Sequence, residues 1–97
     1  MSPAKESAAE IAEDYISFME DRFMHRGCSL RKMSYKQWAA KEIIRRLRSD
    51  KEKPPLAIIE QFADIMRDYS TSGGTAGYIF SCACEAANEI VDWLVST

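Results

Sequence analysis

Histidine is nearly absent from this chain of 97 residues, His25 being the single one, which removes most routes to acid–base chemistry near neutral pH. Cysteine is scarce and odd in number. Cys28, Cys82 and Cys84 show no ligand-like spacing, which predicts free thiols in a reducing cytoplasm rather than a disulfide framework. Asp21, His25 and Cys28 lie close together, but structural zinc takes about four ligands at short repeated spacings, and the other two cysteines are far along the chain. His25 therefore reads as a solvated helix-end residue. Cys82 and Cys84 would point about 200° apart on a helix and cannot chelate together. By the same wheel, Cys84 falls in an apolar arc and Cys82 at its edge, near Trp93.

No apolar run approaches the roughly 18 residues of a membrane span, and Met1-Ser2-Pro3-Ala4-Lys5-Glu6 lacks the apolar stretch of a signal peptide. A cytoplasmic protein without a membrane partner is expected. The glycine-rich run from Ser70 to Gly77 lacks the Gly-Lys-Ser/Thr ending of a phosphate-binding loop and reads as a turn between helices. No serine or cysteine has a base and an orienting carboxylate arranged beside it. The reading is a non-enzymatic protein that needs no cofactor.

Strand-like alternation is missing as well, and helical periodicity fills the four segments cut out by Gly27, Pro54-Pro55 and Ser70–Gly74. This predicts an all-α class, a compact four-helix single domain over 1–97 with a largely buried C-terminal helix. Helices are expected near 3–26, 34–49, 55–70 and 75–96. The first starts at Ser2 or Ser7 and presents Ala8, Ile11, Ala12, Tyr15, Phe18, Met19 and Phe23, with Arg22 inside that arc. Ser34 and Gln37 fit a capping box at the start of the second, whose apolar arc is Ala39, Ala40, Ile43, Ile44 and Leu47. Pro55 opens the third. Thr75 caps the fourth, which is apolar over most of its surface, and its excess near the C-terminus offers a homodimer contact.

The net charge of −2 hides a segregation. Residues 22–53 carry +8, while 1–21 and 54–97 each carry −5. The basic middle fits either a surface for an acidic partner or a helix neutralised by its neighbours. On the second helix, Tyr35, Trp38, Lys41, Arg45 and Arg48 combine aromatic area with positive charge away from the core arc, which makes them the candidate partner-binding residues. Acidic residues of the first or third helix covering this stripe are the inert alternative, and Trp38 packing on a loop from Gly27 to Met33 is another. A DNA-reading helix-turn-helix over 23–44 fits poorly, because Phe23 stands where a small residue belongs and Lys36 would enter the helix interior.

The run Pro54-Pro55-Leu56-Ala57-Ile58-Ile59-Glu60-Gln61-Phe62-Ala63-Asp64-Ile65-Met66-Arg67-Asp68-Tyr69, with Phe80-Ser81 and Ala86-Ala87-Asn88-Glu89-Ile90-Val91-Asp92, resembles segments of small helical accessory proteins of Firmicutes phages and other mobile elements. The resemblance covers roughly the second half of the chain. It implies a protein that blocks a host or defence complex by direct contact, as anti-CRISPR inhibitors do. The competing expectation is a nucleic-acid-binding transcriptional regulator that uses the basic second helix on phosphates.

Overall fold

The chain folds into four α-helices: α1 (Lys5–Arg26), α2 (Leu30–Ser49), α3 (Pro55–Ser70) and α4 (Gly74–Ser96). These come from a computed structural model that describes residues 5–26, 30–50 and 52–96, and the side chains of all of these except 5 and 22–26. No strand occurs among the described residues. The molecule measures 37 × 32 × 21 Å. Its short dimension is about two helix diameters, so the helices lie in two layers.

The prolines and glycines set several ends. Pro55 occupies the first turn of α3, where its missing N–H costs nothing. Ahead of it, Asp50 Oδ1 accepts hydrogen bonds from the Glu52 and Lys53 backbone N–H groups at 2.9 and 3.0 Å, closing the turn locally. Between α3 and α4, Gly73 and Gly74 take φ of +76° and +65°, a region open to glycine at little cost.

Two predicted caps, Ser34 and Thr75, are displaced, and of the two starts offered for α1 only Ser7 can be compared. Helix α2 begins at Leu30, so Ser34 lies inside it, and Gln37 reaches across to α1 instead, donating to the Ile16 carbonyl and Glu20 Oε1. The physical reason is that nothing between Leu30 and Ser34 breaks a helix, and the added turn buries Met33. Ser7 lies inside α1, while Ser2 and Pro3 fall outside the described residues. Thr75 lies within the first turn of α4, because the Gly73 carbonyl already accepts from the Gly77 N–H at 3.0 Å.

The core is built on small side chains. Ala8, Ala9, Ala12, Ala39, Ala40, Ala83, Ala86 and Ala87 are all completely buried. Such positions let helix backbones approach closely, and Tyr15, Ile43, Leu47, Ile59, Phe62 and Ile90 fill the remaining volume. Helix α4 packs on all three others, as expected of a buried C-terminal helix, and α2 shares that central position. One assignment reverses: Cys82 is buried and Cys84 is half-exposed. On the α4 wheel, Cys82 lies within about 40° of the fully buried Ala86. The predicted arc was centred too far round the helix. The surroundings of Arg22, Phe23, His25, Gly27 and Cys28 lie outside the described residues.

Among the described residues the core contains one charged side chain. Lys36, 5% exposed, extends from α2 and places its Nζ 2.7 Å from Glu89 Oε1 and 3.1 Å from Glu85 Oε1, both on α4. Tyr15 of α1 donates its hydroxyl to the same Glu89 oxygen at 2.8 Å. Lys32 stands 3.6 Å from Glu85 Oε2. Burial works against the Lys36 ammonium, but the two carboxylates outweigh it and the group is held above its ordinary value of 10.5. Burial likewise disfavours the Glu85 carboxylate, yet Lys36 and Lys32 together hold it below 4.5. This network joins α1, α2 and α4 and fixes the rotation of α2, so that Arg31, Lys41, Arg45 and Arg48 face outward.

Candidate functional site

With Lys36 turned inward, the outer side of α2 carries Trp38, Lys41, Arg45 and Arg48 within an arc of about 80°. All four are exposed, and Tyr35 stands half-buried about 60° further round. The five residues share one side of one helix, but their neighbours divide them.

Arg48, at the α1 edge, places Nη2 3.1 Å from Glu13 Oε1 and 3.6 Å from Glu6 Oε1. All three side chains are more than half exposed. Such surface pairs contribute about 0–1 kcal/mol each, so they neutralise charge more than they hold the fold. Arg45 donates to Glu42 on its own helix, Nε at 3.2 Å and Nη2 at 2.9 Å. That fork, against the cost of burial, holds the Glu42 carboxylate below its usual range and moves the guanidinium further up. Lys41 is exposed with no ion pair among the described residues. The acids of α1 thus cover one end of the basic stripe and leave its middle open.

Residues 30–33 of the segment proposed to cover Trp38 are helical and 27–29 lie outside the described residues; among those described, Trp38 meets α3. Its ring lies 6.4 Å from that of Phe62 on α3, tilted by 49°, and it remains 43% exposed. Phe62 is itself buried and also receives Arg46, whose guanidinium carbon lies 5.2 Å from the ring centroid. The Arg46 Nε is buried without a hydrogen-bond partner. Tyr35 meets Tyr78 of α4 edge to face, with centroids 5.9 Å apart. The Tyr78 phenol is held above its ordinary value of 10.0, chiefly by its hydrogen bond with the Cys82 thiol. Beside it opens a shallow depression of about 630 Å³ lined by Arg31, Gly74, Thr75 and Tyr78.

The structure therefore places all five candidates on one face and separates them by partner: Arg48 with α1, Trp38 with α3, Tyr35 with α4, and Arg45 and Lys41 toward solvent. Two further residues, Lys36 and Arg46, lie outside the five candidates. Lys36 falls between Ile43 and Leu47 on the wheel, and that position was a readable sign of an inward-facing cation. Arg46 had no such sign, because Phe62 comes from another helix.

No group of three or more His, Cys, Asp or Glu positioned for a metal ion occurs among the described residues. No helix among them is long and apolar enough to cross a membrane. Compared with known protein families, curated proteins and solved structures, the chain matches none.

Proposed function

We propose that this domain acts stoichiometrically through a protein–protein contact made by the outer face of α2, with Trp38 at its centre. The observation that carries this reading is a large aromatic ring 43% exposed beside a braced Arg45 and a Lys41 with no ion pair among the described residues. Tryptophan and arginine dominate binding energy when a partner desolvates them. The face is already ordered, so little conformational entropy remains to be lost on docking. In its concrete form the protein is an inhibitor or adaptor from a mobile element acting on a host defence complex, as the resemblance of its second half suggests.

Two features weigh against the nucleic-acid reading. Arg45 and Arg48 both carry carboxylates of the same chain, and each such pair reduces the charge offered to phosphates. The test is a pull-down from the native host with wild-type protein and with a folded Trp38→Ala/Arg45→Ala variant, each with and without nuclease. Partners that survive nuclease and disappear with the variant support the proposal. An unchanged partner set removes this face from consideration, and steeply salt-dependent binding to duplex DNA supports a regulator instead.

A further inference from the structure

Lys41 and Arg46 both lack an ion pair among the described residues, and Arg46 is held against an aromatic ring. Arg45 and Arg48 have carboxylate partners, whereas the half-buried Arg46 has no ion pair among the described residues; its Nε is buried without an acceptor, which leaves its Nη groups as the donors for a partner. It is held against the Phe62 ring, which Trp38 also covers. A guanidinium stacked on an aromatic ring loses little freedom when it binds, and its planar donors match the two oxygens of a carboxylate. We infer that Arg46 and Trp38 form a two-part receptor for an acidic protein segment, with a partner Asp or Glu received by Arg46 and a neighbouring apolar side chain packed on Trp38.

The occupant follows from charge complementarity. The acids within one helical turn of Lys41, Arg45 and Arg46 along the chain are Glu42 and Asp50, and Arg45 already satisfies Glu42, so three cations face two carboxylates and the patch retains positive charge. A phosphate backbone would meet this charge but would leave the exposed half of Trp38 without apolar cover. A peptide presenting both groups satisfies both residues. This inference rests on α2 being the protein-binding face and adds the chemistry of the partner.

The test pans the full-length protein against a phage-displayed library of random 12-residue peptides and measures selected peptides by fluorescence anisotropy. Enriched peptides are expected to place Asp or Glu within one helical turn of an apolar residue. Their affinity should fall about tenfold or more with Arg46→Gln, and about as much when the peptide carboxylate becomes an amide. Circular dichroism confirms that Arg46→Gln remains folded. Independently of any variant, the Arg46 Nε–H resonance of the wild-type protein should move with the acidic peptide and not with its amide. Enrichment of peptides without a carboxylate, failure to enrich any, or affinity unaffected by Arg46→Gln overturns the inference. Binding lost with Trp38→Ala/Arg45→Ala but kept with Arg46→Gln would leave α2 as the docking face and exclude Arg46 as the contact. Binding of duplex DNA alone, abolished by Arg46→Gln, assigns the same guanidinium to phosphates and overturns the peptide reading.

Discussion

Lys36 has its ammonium inside the bundle and two carboxylates within 3.1 Å. Removing Lys36 leaves Glu85 and Glu89 without their cation whatever replaces it, and an apolar side chain of similar volume avoids only the added cavity. Lys36→Ala should lose about 2–4 kcal/mol in urea denaturation at neutral pH, because Glu85 and Glu89 remain partly solvated. Lys36→Met should lose about 1–3 kcal/mol, because it removes the same cation without leaving a cavity. Equal losses in the two variants would mean that charge and not volume decides the position. The network also fixes the pH response. Glu85 is held below 4.5, so its contribution is present above that value and disappears as pH falls through the lower folded value. Lys36 is held above 10.5, so its contribution is present below that value and is lost as pH rises through the higher folded one. Lys36→Met should flatten both limbs in a pH series of urea midpoints. The cysteines give a second test, since Cys82 is buried and Cys84 half-exposed. In a Cys28→Ser background, one thiol of the native protein should react with Ellman's reagent quickly and one slowly, and Cys84→Ser should remove the fast phase. The sequence placed these two thiols the other way round, because an arc drawn from apolar residues alone ignores which flank faces the neighbouring helices.

At the scale of whole elements, what was legible depended on how local the cause was. Pro55 and the glycines beyond Ser70 act on their own backbone, so the α3 boundaries could be read without knowing the fold. The start of α2 depended on Met33 finding burial elsewhere, and Ser34 with Gln37 offered a plausible cap that the helix runs past. Ser34→Ala should therefore change stability by less than about 0.5 kcal/mol, where loss of a working cap would cost about 1 kcal/mol. Circular dichroism melts of the two proteins decide this directly. Gly77 shows the opposite case, in which the demand comes from packing. A Cβ there would stand 2.9 Å from the Ser70 carbonyl oxygen, so the end of α3 and the start of α4 touch at this glycine. Gly77→Ala should destabilise the domain by about 1–3 kcal/mol despite alanine's better helix propensity, and a neutral or stabilising result would mean that the junction yields easily. The five candidate residues on α2 were readable as a common face because rotation around a single helix follows from spacing. Their separate partners were not readable, since Glu13, Phe62 and Tyr78 each come from a different element.

For the whole molecule, the charge segregation in the sequence is spent partly inside the fold. The basic second segment meets α1 through Arg48 and α4 through Lys32 and Lys36, which accounts for much of its apparent excess. The broadest interfaces are those of α1 with α2 and of α3 with α4, while α2 against α4 joins the two halves and α2 meets α3 only narrowly. That arrangement has a kinetic consequence. Each adjacent pair closes only a short loop, so it can form early at low entropic cost, whereas the seam between α2 and α4 requires both pairs to exist first. Lys36, Glu85 and Glu89 belong to that seam and should acquire their contacts after the folding barrier has been crossed. A chevron analysis of Lys36→Ala should then show a folding rate close to wild type and a markedly faster unfolding rate. If the folding limb falls instead, the halves meet before the barrier. On the expected order, the buried ions contribute little to how fast the domain forms and much to how long each folded molecule lasts.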